Sequence, residues 1–70
     1  MPLAMVLKGE SRTVTSLVGA GEMKQHLAEM GFVPGQKVTV VGENPAGIIL
    51  QVKGVRLALN RSLAQKILVA

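Results

Sequence analysis

A helical pattern that stops abruptly constrains this chain more than any other feature. It runs from Met23 to Gly35 and reads M-K-Q-H-L-A-E-M-G-F-V-P-G. Met23, Leu27 and Met30 recur at i, i+4 and i+7, which places them on one stripe of an α-helix. Lys24, Gln25 and Ala28 fall off that stripe, and all three are good helix formers. Gly31 follows the last apolar position, where a glycine in the left-handed region closes a helix. Val33-Pro34-Gly35 then reads as a tight turn, with proline presetting φ at one central position and glycine tolerating a positive φ at the next. A short amphipathic helix is thus capped, turned and handed to a strand that starts near Gln36. Everything after Gly35 reads as sheet, against which the helix must bury its methionines.

Seventy residues make one domain, spanning 1–70, near the lower limit for folding without a staple. There are no cysteines, so neither a disulfide nor a thiolate zinc site can supply one. Stability must come from the 49% of residues that are apolar. With Phe32 the sole aromatic, the core is aliphatic, built from Val, Leu, Ile and methionine. No apolar run approaches the roughly 18–20 residues that span a bilayer. The stretch from Pro2 to Leu7 is too short for a signal-peptide core and follows no basic region. The expected location is the cytoplasm.

Taken in order, residues 1–9 lead in, with Met5 either covered or exposed. Thr13 to Val18 is β-branched and half alternating, which favours a strand. Gly19-Ala20-Gly21 breaks it, and Glu22 enters the first helical turn, where the helix dipole favours an anion. After the Pro-Gly turn, Lys37 to Val41 alternates like a strand with one covered face, and Gly42 marks a bulge or close approach. Asn44-Pro45-Ala46-Gly47 is a loop by composition. Ile48 to Lys53 and Arg56 to Asn60 flank Gly54-Val55, read as a type II′ hairpin turn. That register sets Lys53 opposite Arg56, Val52 opposite Leu57 and Leu50 opposite Leu59, with the aliphatic set on one face. Ser62 and Gln65 match a capping box for a single helical turn, and Ile67 to Val69 closes the chain as a short strand. Short strands around a small core favour a partly open barrel, because closure removes exposed edges.

The order of these pieces resembles the FeoA family of small cytoplasmic partners of bacterial ferrous-iron permeases. The markers are Gly31-x-x-Pro34-Gly35, Val38-x-Val40, Gly54-Val55-Arg56-Leu57-Ala58-Leu59 and Ala64-x-x-Ile67-x-Val69, together covering roughly residues 7 to 69. The resemblance implies a mainly β fold: a small SH3-like, partly open barrel with one short α-helix and a C-terminal single helical turn. It also implies an accessory, regulatory role in ferrous-iron uptake. The partner would be the GTPase-bearing permease, which would hold the protein peripherally at the inner face of the membrane without insertion.

The residues offer little for catalysis. His26 is the one histidine, no aspartate exists to orient it, and Glu10, Glu22, Glu29 and Glu43 are the only acids. Gly19-Ala20-Gly21 lacks the lysine and the spacing of a phosphate-binding loop. Neither a catalytic residue nor a cofactor site is assigned, and the chain reads as no enzyme. Glu22, His26 and Glu29 stand at i, i+4 and i+7 on one helix face, a donor set suited to a divalent cation. From Glu22 to Glu29 the helix rises about 10 Å at 1.5 Å per residue, too far for one ion to reach all three. A weak two-ligand surface site or an ordinary polar flank remain, and no metal ligand is assigned.

A surface for another protein is the reading left. With Leu50, Val52, Leu57 and Leu59 facing inward, Ile49 faces out, and alternation from Val38 and Val40 turns Val41 out as well. Beside Arg56 and Arg61 they would form an apolar patch with a basic rim, so Val41, Ile49, Arg56 and Arg61 are the candidate partner-binding residues. Coverage of Ile49 and Val41 by a terminal segment is the competing outcome. Two other functions share this pattern. One is a stand-alone relative of the SH3-like domain of metal-dependent repressors. The other is a basic barrel that binds nucleic acid, suggested by the net charge of +4. Nucleic acid is disfavoured because such surfaces stack bases on aromatics. Clustering of Lys37, Lys53, Arg56 and Arg61 on one face is what would favour it.

Overall fold

The computed structural model describes all residues, 1–70. Five antiparallel strands run in the order β4-β3-β2-β1-β5, with β1 at Ser11–Leu17, β2 at Lys37–Asn44, β3 at Gly47–Val52, β4 at Val55–Asn60 and β5 at Ile67–Val69. Helix α1 (Gly21–Glu29) links β1 to β2, and a four-residue helix α2 (Arg61–Ala64) links β4 to β5. This is the expected mainly β architecture with one substantial helix and one terminal helical turn. Strand β1 serves two partners. Its first half pairs with β2 (Arg12 opposite Val38) and its second half with β5 (Leu17 opposite Ile67). A single strand shared in this way bends the sheet round its own core.

The helix stop works as its sequence requires. Leu27 is fully buried, and Met23 and Met30 pack half-covered against the core. Gly31 takes φ +104°. Its amide donates to the carbonyl of Ala28 (3.0 Å) and that of Phe32 to Leu27 (3.1 Å), the paired bonds of a Schellman close. Phe32 is thereby driven into the core, where it is fully buried. Gln36 N–H then donates to Val33 O (3.0 Å) across Pro34 and Gly35, whose φ is +92°, as a type II turn demands. All fourteen core residues are apolar, and no polar or charged side chain is buried.

Three expectations are corrected. The β3–β4 turn is Lys53-Gly54, not Gly54-Val55, and the pairing sets Val52 opposite Val55, Leu50 opposite Leu57 and Ile48 opposite Leu59. Lys53 (φ 52°) and Gly54 (φ 78°) both lie in the left-handed region, which makes a type I′ turn with glycine second. The register therefore moves by two residues, an even step that leaves every side chain on its expected face. Lys53 no longer opposes Arg56; Gln51 does. The cap of α2 is Asn60 rather than Ser62, with Leu63 N–H donating to Asn60 Oδ1 at 2.8 Å. An asparagine directly after a strand can bond the amide three residues on, and so starts the helix two residues earlier than the serine would.

The N-terminal residues are more than a lead-in. Leu3–Met5 forms a 3-10 turn, Leu3 and Val6 enter the core, and Pro2 bridges Leu68. Met1 and Val69 bond in both directions, Val69 N–H to Met1 O at 2.7 Å and the terminal ammonium to Val69 O at 2.9 Å. Met5 stays exposed.

Strand β2 carries the irregularity that Gly42 signals. Val41 is the extra residue between the pairs Val40–Leu50 and Gly42–Ile49. Asn44 Oδ1 accepts the amides of Ala46 (2.9 Å) and Gly47 (3.0 Å), which closes the β2–β3 turn.

Candidate partner-docking surface

The alternation of β3 and β4 decides what faces out. Leu50, Val52 and Leu59 go to the core, so Ile49, Gln51, Arg56 and Ala58 form the opposite face. One row across it is polar: Ser11, Thr39, Gln51 and Arg56 lie opposite one another in turn, with Ser11 Oγ and Thr39 Oγ1 2.8 Å apart in a hydrogen bond. In the next row Ile49 lies between Gly42 and Ala58. Gly42 has no side chain, and Ile49 leans over it: a Cβ placed there would stand 3.8 Å from Ile49 Cδ1. Ile49 and Val41 are each half-buried. Arg56 is exposed, with no carboxylate within ion-pair distance and no side-chain hydrogen bond.

Arg61 belongs elsewhere. It lies just beyond the far end of β4, roughly 16 Å from Arg56 at about 3.3 Å per residue. Its guanidinium donates to Glu43 Oε2 at 3.0 Å. Val41, Ile49 and Arg56 thus share one region, and Arg61 marks its far margin. Lys53 also departs from Arg56. Its stem lies over the end of α1, with Cδ about 4.0 Å from where a Gly31 Cβ would be, which brings a cation to a helix C-terminus. Lys37 is separated from Arg56 by all of β3. The four cations do not gather into one patch.

Glu22, His26 and Glu29 line a shallow hollow of about 460 Å³ with Met23 and Gln25. All five come from α1 itself, so the hollow is an open helix surface. No three histidine or acidic side chains anywhere in the chain converge as metal ligands. The donor set does not fit a bound cation held by three protein groups.

The sequence reading missed β4 as a sheet edge. Its outer side has no strand neighbour, and Val55 at its start is 61% exposed although it lies on the core side of the sheet. Gly54 was the available signal for the turn, but it does not say which of its neighbours is the other turn residue. Nothing in the local sequence distinguishes an edge from an interior strand here.

The FeoA domain model matches residues 1–70. The chain belongs to the FeoA family. A Methanocaldococcus jannaschii protein assigned as an Fe(2+) transport protein A is 38% identical over 69 residues, covering 97% of this chain and 83% of that protein. A crystal structure of an iron uptake regulatory protein, FeoA, superposes with a TM-score of 0.90 at 34% identity, over 99% of this chain and 93% of that one. The Stenotrophomonas maltophilia FeoA, described as a prokaryotic SH3 domain protein and complexed with zinc, gives 0.88 at 30% identity, over 100% and 89%. The SH3-like description of the fold follows from these FeoA structures. A manganese-dependent transcriptional repressor shares the fold at 22% identity, with this chain covering 40% of it. No helix of this chain is long and apolar enough to cross a membrane.

Proposed function

We propose that this FeoA-family chain is an accessory, regulatory component of ferrous-iron uptake. In this reading it docks on the cytoplasmic, GTPase-bearing part of a ferrous-iron permease, held at the inner face of the membrane through that partner. The docking surface is the outer face of β2–β4, with Val41 and Ile49 as the apolar centre, Arg56 as the free cation beside it and Arg61 at the rim. The observation that carries the reading is Arg56: an unpaired guanidinium next to a half-covered isoleucine, in a family named for Fe(2+) transport. A partner carboxylate there would gain a charge-assisted bond that displaces no internal one. The Stenotrophomonas relative has been suggested as a ferrous-iron-transport activating factor, which supports a regulatory role. Regulation requires different affinities for two permease states.

Amide-shift NMR titration of labelled protein with the permease's GTPase region tests this, once with GDP and once with a non-hydrolysable GTP analogue. Shifts confined to Val41, Ile49, Arg56 and their neighbours, stronger in one nucleotide state, are expected. Shifts elsewhere would move the docking face, and none in either state would remove the partner.

The nucleic-acid reading loses ground on geometry. Lys53 turns to the end of α1, Arg61 pairs with Glu43, and Lys37 lies across β3 from Arg56. A groove that tracks a phosphate backbone needs its cations in line.

A further inference from the structure

The outer edge of β4 is distinct from the face next to it, because no strand pairs with it. In a two-residue hairpin the pair flanking the turn, here Val52 and Val55, exchanges both backbone bonds. Leu50–Leu57 and Ile48–Leu59 repeat that phase. The amides and carbonyls of Arg56 and Ala58 therefore point away from β3. No other backbone group bonds them. The opposite sheet edge differs, since Met1 and Pro2 occupy β5.

The side chains flanking this edge specify what can lie on it. Arg56 stands on one side without a partner. Val55 and the half-buried Leu57 stand on the other, extending the core to the rim. Ala58 leaves room beside Arg56 for a long neighbour. No acidic residue occurs on β3, the turn or β4, and the chain carries a net +4. A second copy aligned on the same edge would bring two such cationic strands together without an acid between them, so self-pairing is disfavoured.

We infer that the β4 edge takes an extended protein segment that alternates acidic and aliphatic residues, adding it as a sixth strand. Glutamates or aspartates of the segment face Arg56, and its aliphatic side chains lie beside Val55 and Leu57. Backbone bonds from Arg56 and Ala58 supply affinity and the alternation supplies selectivity, as in other strand additions. The inference rests on the docking reading for its biological partner, but the edge itself is testable without the permease.

The probe is a capped Glu-Val-Glu-Val-Glu-Val peptide, titrated into labelled protein at low salt. Saturable shifts are expected at Arg56, Ala58, Val55 and Leu57, with slowed amide exchange at Arg56 and Ala58. A peptide of the same composition in two blocks, three glutamates then three valines, should bind about tenfold more weakly, equivalent to ~1.4 kcal/mol. N-methylation of the alternating peptide's edge-facing amides should abolish binding while leaving the protein untouched. In the protein, Ala58→Pro removes the outward amide at a position where an edge strand tolerates proline, and Arg56→Glu reverses the charge.

Equal binding of the block peptide reduces the effect to bulk charge and overturns the proposal. So does binding that survives N-methylation, or absence of binding, or a concentration-dependent dimer that forms through β4 without peptide. Peptide failure together with intact binding of the GTPase region would overturn the edge alone. Peptide binding without any response to the GTPase region would instead remove the permease as partner.

Discussion

The two edges of the sheet solve the same problem in opposite ways. Strand β5 is three residues long, and the chain's first residues close its outer side, with Leu3 and Val6 sealing the core behind it. Strand β4 is twice that length and has no backbone neighbour outside, while its apolar side runs open to the rim at Val55. An exposed edge invites association with other chains. Here one edge is closed at the cost of ordering a terminal segment and the other is guarded only by the charge of Arg56. The difference shows that closure was available to this fold and was applied on one side only.

Leu3→Ala breaks the closed edge most directly. The side chain is fully buried, so the loss should be about 3 kcal/mol, within the range for large-to-small core substitutions. Urea denaturation measures it, and a loss below about 1 kcal/mol would show that the N-terminal segment merely rests on β5. Gly31→Ala strikes the support of the open side. It forces a side chain into the left-handed region and sets its Cβ 3.2 Å from Val52 Cγ1. A destabilisation of about 2 kcal/mol is expected, lowering Tm by roughly 8–16 °C for a domain of this size. An unchanged Tm would mean that α1 closes by another route.

Asn60→Ala removes the bond to Leu63 N–H where the chain leaves β4 for the closed edge. The cost should be about 1 kcal/mol, with Asn60→Ser recovering most of it. No recovery would indicate that the side chain acts otherwise than as a cap. Arg56→Glu should change stability by less than about 0.5 kcal/mol, because the side chain has no internal partner. It should nevertheless abolish the binding response of the β3–β4 region. A large drop in stability would reveal a structural role for the guanidinium and take away the argument for docking.

How much of this was legible in the sequence depended on the range of the determining interaction. The close of α1 was readable because Gly31, Pro34 and Gly35 each meet a backbone requirement within a few residues of their own position. The faces of β3 and β4 were readable too, since alternation survives an even shift of register. The register itself was not, because Lys53 accepts a positive φ that its side chain gives no sign of. Competition between Asn60 and Ser62 for the cap of α2 is similarly local yet finely balanced, as both are good N-cap residues.

The long-range pairings were the least accessible. That Leu3 lies in the core depends on β5, more than sixty positions away in the chain. The position of Arg61 beside Glu43 depends on how α2 crosses the end of the sheet. Val41 and Ile49 were placed outside by alternation, and the structure finds both half-covered. The reason lies in the bulge at Val41 and in the bare Gly42 beneath Ile49.

The bonds between Met1 and Val69 have a topological meaning beyond the edge that they cover. The path enters and leaves the fold at adjacent points, as though through a single doorway. A module with that property can be spliced into a surface loop of a larger protein, or strung in tandem, without requiring the host to open a gap.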